Sequence, residues 1–331
     1  MRLFAVLALA IMSASAADTG NNTRSWLLVA NKGEHTLGII DPASGKQIAA
    51  IDEGGVTGHE VIASPDGRTA YVPIYGNSGV GKPGTDGTHL VAIDLASQKV
   101  TGSVDFGHGV RPHCPMFGPK NGLLYVTTEL DQAISVIDPH TLKITGKIPT
   151  GQPESHMFSI TSDGKRGYTA NVGAGTVSAV DLVGKKTIAV IPIAKQVQRM
   201  SISPDDKYAF TSDVDAPRLA VIDTATNKVK QWIDLPAPGY GSAVSSDSKW
   251  LVIAMPAAHK VAAIDLALMK VTHTVDVPAA PQETLIRPDQ KAVYVSCDAS
   301  AKIAEIDPAT WKVTRLIDAG KGADGLAWSG K

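Results

Sequence analysis

The sequence repeats with a nearly constant period, and this constrains the fold more than any other feature. An apolar residue followed by Asp recurs seven times, and successive Asp residues are 53, 44, 43, 42, 42 and 42 positions apart. Alternating apolar residues end at each Asp and a short turn follows, as in AVIDTATNKV, because the carboxylate accepts hydrogen bonds from nearby backbone N–H groups. The seven residues are Asp41, Asp94, Asp138, Asp181, Asp223, Asp265 and Asp307.

A second marker precedes six of these Asp residues, as in SPDGRTAYV and RPDQKAVYV, and it indicates a strand end, a turn and a new strand. Each repeat therefore holds about four short strands in 42 residues. Units of this kind at this period predict an all-β fold, a seven-bladed β-propeller with four-stranded blades.

The two ends of the chain predict how the ring closes. SWLLVANKGEHTLGIID enters in the middle of a repeat, and GADGLAWSG at the other end supplies the missing inner strand. N- and C-terminal strands are therefore expected to share one blade, which leaves no open sheet edge.

Repeats such as SPDGRTAYV followed by VAIDLASQKV resemble the YVTN-type bacterial β-propellers over residues 25–331. That resemblance implies the propeller fold and a surface or binding role, with lactonases and redox subunits among related propellers. The segment PHCPMFGPKNGLLYV is similar to an inner strand of lactonase-type propellers, the 6-phosphogluconolactonase-like group. This local resemblance implies that His113, with Arg111 or Arg199, recognises a lactone or carboxylate.

The N-terminal residues MRLFAVLALAIMSASA have the charge, apolar run and small residues of a secretory signal peptide. We expect residues 1–16 to be removed after Ala16, residues 17–24 to be a short segment, and residues 25–331 to form the propeller. The predicted location is periplasmic or secreted, without a membrane span. Because 31 Lys and Arg face 32 Asp and Glu, no basic surface for nucleic acid is expected. We expect a monomer.

Aligning the repeats with one another shows where the blades differ chemically. One position at the start of each predicted inner strand is polar in every repeat, and we call these residues the first ring: His59, His113, His156, Gln198, Tyr240, Gln282 and Asp324. The next position is the second ring: Glu60, Cys114, Met157, Arg199, Gly241, Glu283 and Gly325. Because inner strands converge on the axis, the first ring should surround the channel mouth, whereas strand alternation favours turning the second ring away.

Three histidines on adjacent blades predict a metal site of His59, His113 and His156 with one transition metal ion, Zn or Cu. The alternative is a polar channel lining without any cofactor. Cys114 and Met157 would favour copper, or they pack between blades. A disulfide between Cys114 and Cys297 is not expected, because their blades lie far apart in the ring.

The remaining ring residues are candidates for chemistry or recognition. For acid–base or substrate chemistry we select His113, Glu60, Arg199, Tyr240 and Glu283. The residues selected for ligand binding are Arg111, Gln198, Gln282 and Asp324. The alternative for Arg199 and Glu283 is a salt bridge between blades. The Gly-rich segment 75–89 contains a ten-residue insertion that should overhang the rim near His59 and His113.

Three functions remain open at this point. The first is an exported propeller that binds a small ligand or transition metal at the channel mouth, with or without metal-assisted catalysis as a hydrolase, lyase or oxidoreductase. The second is a metal-independent lactonase-like hydrolase. The third is a non-catalytic scaffold whose partner is another exported protein.

Overall fold

Seven antiparallel sheets of four strands form a ring, as the repeat predicts, in the computed structural model of the protein. The structure describes residues 25–77 and 79–330, so the predicted signal peptide and the segment 17–24 lie outside the described residues. We number the blades by the order of their inner strands, so that the blade closed by both ends is blade 7.

The strands follow one another from the channel outward within each blade. In chain order, the first eleven comprise the three outer strands of blade 7 and then blades 1 and 2: β1 (Leu27–Asn31), β2 (Thr36–Asp41), β3 (Lys46–Asp52); β4 (Ile62–Ala63), β5 (Thr69–Gly76), β6 (Asp86–Asp94), β7 (Lys99–Asp105); β8 (Pro112–Phe117), β9 (Leu124–Thr128), β10 (Ala133–Asp138), β11 (Lys143–Pro149). Blades 3 and 4 follow: β12 (Ser155–Ile160), β13 (Arg166–Asn171), β14 (Thr176–Asp181), β15 (Lys186–Pro192); β16 (Ser201–Ile202), β17 (Tyr208–Asp213), β18 (Arg218–Asp223), β19 (Lys228–Asp234).

Blades 5 and 6 and the closing strand complete the ring: β20 (Ser242–Val244), β21 (Trp250–Met255), β22 (Lys260–Asp265), β23 (Lys270–Asp276); β24 (Pro281–Ile286), β25 (Val293–Cys297), β26 (Lys302–Asp307), β27 (Lys312–Asp318); β28 (Ala323–Trp328). Two single 3₁₀ turns, Pro256–Ala258 and Asp298–Ser300, follow β21 and β25. No helix among the described residues is long and apolar enough to cross a membrane.

The core lies between neighbouring blades. Middle strands are buried on both faces, as in β9, where all five residues are buried, because each blade is stacked between two others. The outermost strands alternate instead, with exposed and covered residues in turn along β3 and β15. Apolar residues at both kinds of position thus bury the sheets against one another, which accounts for the seven regular runs in the sequence.

Each repeated Asp ends the third strand of a blade and caps the following turn, as predicted. The carboxylate of Asp138 accepts a hydrogen bond from the backbone N–H of His140 at 2.9 Å. Asp307 accepts one from Ala309 at 2.9 Å, and the other five make the same kind of contact two or three residues on. These turns fix the hairpin between the third and fourth strands.

The ring closes through strands from both ends of the chain. β28 pairs antiparallel with β1, and Leu28 faces Ala327 while Val29 faces Leu326. The backbone N–H of Trp26 also donates to Ser329 Oγ at 2.9 Å. Blade 7 is therefore built from both termini, which confirms the predicted closure.

A local irregularity at the ring positions allows both rings to face the channel. The innermost strands of blades 2, 3, 6 and 7 carry a register shift at the two ring positions, for example between Ser155 and Phe158. In blades 1, 4 and 5 the ring residues come before the inner strand begins, as with Gln198 and Arg199 ahead of Ser201. Simple alternation is broken at these positions, so successive residues need not point to opposite faces. The expectation that the second ring faces away is therefore wrong.

Candidate functional site

Three imidazoles meet at the mouth of the channel. The rings of His113 and His156 are stacked, with centroids 3.6 Å apart and an interplanar angle of 29°. The ring of His59 meets His113 edge-on at 5.6 Å and is stacked on Tyr75 at 4.6 Å. His113 and His156 are buried, and His59 is half-buried. Of the three, His59 is the imidazole most exposed to solvent.

A buried hydrogen-bonded chain fixes one of these histidines. Tyr75 Oη donates to Glu129 Oε2 at 2.8 Å, and His156 Nδ1 is bonded to Glu129 Oε1. Gln198 Nε2 lies 3.3 Å from His156 Nε2. Because Gln198 donates through this nitrogen, the arrangement assigns the proton of a neutral His156 to Nδ1. Both nitrogens of His156 are thus engaged by protein groups.

The pKa values of the other two histidines are lowered. Burial, opposed in part by Asp324, lowers the pKa of His59 to about 4. Burial and the neighbouring His156 and His59 hold the pKa of His113 well below its usual range. Both imidazoles are therefore neutral at pH 7, which is the form that ligates a metal. The Nδ1 of His113 is buried without a hydrogen-bond partner.

Below the histidines, Arg199 forms a charged cluster that crosses the channel. Its Nη1 donates to Glu60 and, at 2.7 Å, to Glu283 Oε2, and its Nη2 donates to Asp324 Oδ1 at 3.1 Å. Its guanidinium carbon lies 4.9 Å from the centre of the Tyr240 ring, as a cation–π contact. These contacts join blades 1, 4, 5, 6 and 7. Arg199 and Glu283 therefore form a salt bridge between blades, which was the alternative stated for this pair.

The cluster holds more carboxylates than cations. Lys32 adds one cation, with its Nζ 3.1 Å from Asp324 Oδ2 and 2.6 Å from Asp298 Oδ2. Burial raises the pKa of Glu60 and of Glu283, and Arg199 offsets only part of that rise. Burial also opposes ionisation of Asp324, but Lys32 and Arg199 outweigh it and lower its pKa. Asp324 is therefore the ionised member of the cluster, and the two glutamates hold protons more strongly than usual.

The inserted loop lies over this mouth, between β5 and β6. Arg111 anchors it, because its Nε donates to Asp86 Oδ1 at 2.6 Å and its Nη2 donates to Lys82 O at 2.7 Å. A Cβ placed on Gly81 would come within 2.7 Å of Glu154, which directly precedes blade 3. The loop therefore extends from blade 1 to blade 3. The side chain of Arg111 is hydrogen-bonded to this loop.

A second chamber lies on the other side of the Arg199 cluster. This lower cavity has a volume of about 320 Å³ and is lined by Glu60, Glu283, Cys114, Met157, Met200 and Leu326, among others. Cys114 Sγ contacts Phe158 O of the neighbouring blade at 3.4 Å, in line with packing between blades. Cys114 and Cys297 are both free and buried.

Gln282, another residue of the first ring selected for ligand binding, makes a weaker contact. Gln282 is half-buried, with its amide 3.4 Å from Ala280 O. Among residues 25–77 and 79–330, no group of three or more His, Cys, Asp or Glu is arranged to hold a metal ion. The zinc or copper centre of the three histidines stays a prediction.

Four residues of the site were missed at the level of sequence: Lys32, Tyr75, Glu129 and Asp298. They share one signal, because each stands four residues beyond the repeated aromatic or apolar residue of a second strand: Leu28, Tyr71, Tyr125 and Tyr294. The other three repeats have Val172, Val214 and Pro256 there. The same alignment that gave the two rings would have found this polar column.

Comparison with known proteins adds a family. A family model of the cytochrome D1 heme domain matches residues 118–329, which is more than half of the chain. Among solved structures, the chain is similar to hydrazine synthase from Kuenenia stuttgartiensis, at 18% identity and a TM-score of 0.52, covering 76% of this chain and 96% of that one. This likeness concerns the fold alone. No curated protein matches significantly. The matches give no support to the YVTN or lactonase-type resemblances, which stay predictions.

Proposed function

The chain belongs to the cytochrome D1 heme domain family, and on this premise we propose that it binds one iron tetrapyrrole at the channel mouth with His59 as the iron ligand. The observation that carries the proposal is the state of His59. Its imidazole is neutral and half-buried, and its ring is stacked on Tyr75. A single protein imidazole suffices for such a cofactor, because the tetrapyrrole supplies the other nitrogen ligands.

The other two histidines are less suited to reach the iron. His156 has both ring nitrogens engaged, by Glu129 and Gln198. His113 is only 2% exposed and lies against the face of His156. Both lie close to His59 and Tyr75, so their role in this proposal is to support the side of the mouth that faces the ligand.

The surrounding residues supply orientation and enclosure. Tyr75 holds the plane of the His59 ring through a stacked contact, and its own hydroxyl is fixed by Glu129. Exposed Lys82, Lys195 and Lys321 lie in loops on the same face and offer partners for the carboxylates of a tetrapyrrole. The Arg199 cluster closes the channel beneath. Bound heme would supply a redox-active iron centre, and the chain's residues would position it and limit access of water from below.

The setting of this function is also a proposal. The N-terminal signal segment supports an exported, periplasmic protein that acts as a monomer with a small-molecule ligand. The geometry gives no reaction, so Glu60, Glu283 and Tyr240 are assigned to the ligand's surroundings without a catalytic step. Heme, rather than zinc or copper, is the cofactor that the family favours.

A titration with heme tests the proposal. We expect heme of the d1 type or hemin to bind at one equivalent per chain with a shifted absorption band. His59→Ala should weaken binding at least tenfold. His108→Ala is the matched control, because His108 is an exposed histidine bonded to Asp131 in a neighbouring loop. Equal affinity of the His59→Ala variant and the wild type would overturn the assignment.

A further inference from the structure

A cavity of about 220 Å³ lies between blades 5 and 6, at the end of the propeller opposite to the three histidines. Its place follows from the strand directions, because the first ring precedes the inner strands whereas this cavity borders the turns that follow β20 and β26. Blade 5 supplies Asp247, Lys249 and Trp250, and blade 6 supplies Gln290 and Trp311. The cavity is therefore outside both polar rings and separate from the proposed heme site.

Aligning the repeats shows why space is left between these two blades. Val252 of β21 lines the cavity, and the other six repeats have a larger side chain at its position: Leu28, Tyr71, Tyr125, Tyr168, Phe210 and Tyr294. Trp311 is the left-handed residue of the turn in blade 6, and none of the other repeats has an aromatic residue there: Gly45, Gln98, Leu142, Lys185, Asn227 and Met269. A smaller residue in β21 and a larger one in the adjacent turn thus produce a cavity with an aromatic wall.

Two indole rings form a corner of this cavity. The rings of Trp250 and Trp311 have centroids 5.0 Å apart, and their planes meet at 72°. The ring of His273 is stacked on Trp311 at 5.4 Å and does not line the cavity, so it supports the corner from outside. Trp250 is half-buried whereas Trp311 is 8% exposed, so Trp250 offers the larger accessible ring surface. An accessible indole binds the apolar C–H face of a ligand.

Polar groups at the rim of the cavity can donate and accept hydrogen bonds. Asp247 and Lys249 are the charged members of its described lining, and they form a pair with Lys249 Nζ 3.3 Å from Asp247 Oδ2. Their side chains are 33% and 73% exposed, so a ligand in the cavity can reach both. Gln290 adds an amide that donates and accepts. Because the two charges cancel, the rim favours a neutral ligand with several hydroxyl groups over an ion.

We propose that this cavity binds a neutral hexopyranose, whose C–H face packs on the Trp250 ring while its hydroxyl groups bond to Asp247, Lys249 and Gln290. A pyranose has an apolar face and a ring of donors and acceptors at its edge, which matches the aromatic wall and the polar rim. The site lies at the opposite end of the propeller from His59. It is therefore independent of heme binding and goes beyond it.

Calorimetry with defined probes tests this site on the full chain. The probes are the methyl pyranosides of glucose, galactose and mannose. Cyclohexanol serves as a ring with a single hydroxyl group, glycerol as a polyol without a ring, and leucine as a zwitterion with an apolar side chain. We expect at least one pyranoside to bind at one per chain and at least tenfold more tightly than each of these three compounds.

Two exposed lining residues give variants that remove no buried group, and blade 4 offers a matched control for each. Ala309→Trp fills the cavity and should abolish pyranoside binding, whereas Ala225→Trp places the same side chain at the corresponding exposed turn of blade 4. Lys249→Ala removes a donor of the rim and should weaken binding at least threefold. Lys207→Ala, which breaks the equivalent exposed pair with Asp205, should leave binding unchanged.

The heme titration should be the same in all four variants, so this proposal and that of the heme site can fail separately. The proposal is overturned if none of the three pyranosides binds, or if cyclohexanol, glycerol or leucine binds as tightly. It is also overturned if either Ala309→Trp or Lys249→Ala binds the pyranoside like the wild type.

Discussion

Arg199 of blade 4 donates a hydrogen bond to Glu60 of blade 1, 139 residues away in the chain. The contact crosses the channel, and the same guanidinium also binds Glu283 and Asp324. A residue from the middle of the sequence thus joins blades that lie on different sides of the ring. The interior of the channel is in this way held by charge, while the blades around it are held by apolar packing.

Replacing this arginine should strongly destabilise the fold. Arg199→Met removes the cation that Glu60, Glu283 and Asp324 share, and removal of one partner from a buried ion pair costs about 3–5 kcal/mol. The free energy of unfolding from urea denaturation at pH 7.5 measures the loss. Arg315→Gln is the control, because Arg315 is half-buried and pairs with Glu305 at the edge of blade 6. The account is contradicted if both variants lose the same amount.

The hydroxyl of Tyr75 should contribute to stability separately from its ring. Tyr75→Phe removes the hydrogen bond to buried Glu129, and bonds to charged groups contribute about 1.5–3 kcal/mol. The ring that is stacked on His59 is kept, so heme affinity should change less than twofold. Tyr71→Phe, which loses a 3.3 Å bond to Pro139 O, should cost less than the Tyr75 change. Unfolding curves and heme titrations of the two variants check both statements, and an unchanged stability of Tyr75→Phe would refute the first.

Stability should fall as pH rises through the titration of Glu53. Burial raises the pKa of Glu53 from 4.5 to about 7 in the folded protein. Between pH 4.5 and about pH 7, the folded state therefore binds more protons than the unfolded state. Above this range, the ionised and buried carboxylate lowers the free energy of unfolding by about 3 kcal/mol. From pH 5 to pH 8, the unfolding free energy of the wild type should therefore fall relative to that of Glu53→Gln. A difference that stays constant with pH would show that the Glu53 carboxyl has an ordinary pKa.

The anchor of the inserted loop gives a prediction about dynamics. Arg111→Gln removes the bonds to Asp86 and to Lys82 O, so the loop loses its main attachment to blade 2. Amide hydrogen exchange in residues 79–85 should become faster by about tenfold, while exchange in β9 and β13 is unchanged. Arg287→Gln, which removes a local bond to Asp289, should leave the loop as protected as in the wild type. Unaltered protection in the Arg111→Gln variant would mean that other contacts hold the loop.

The fold could be predicted from the sequence because the repeat shows the same physical requirement seven times. Each Asp caps a turn, as Asp138 and Asp307 do, and the middle strands of a blade are buried on both faces, as β9 is. The closure of blade 7 follows from the missing inner strand at one end and the extra one at the other. These are local or pairwise requirements, which a sequence pattern records directly.

The site was less accessible to such reasoning. The first ring brought His59, His113 and His156 together, but strand alternation misplaced the second ring. Whether Arg199 points inward depends on where an inner strand begins, and one register shift decides this for Glu283. The roles of Tyr75 and Glu129 depend on contacts across blades. Aligning the repeats shows which positions correspond between blades, but only the structure shows which of these residues contact one another.

Metal analysis of the protein purified untagged from its natural host tests the central claim most directly. With His59 as the ligand of an iron tetrapyrrole, elemental mass spectrometry should find close to one equivalent of iron per chain. Zinc and copper should be far below one equivalent, and His59→Ala should lose the iron while His108→Ala keeps it. Wild-type protein without iron, or iron retained in full by the His59→Ala variant, would contradict the account.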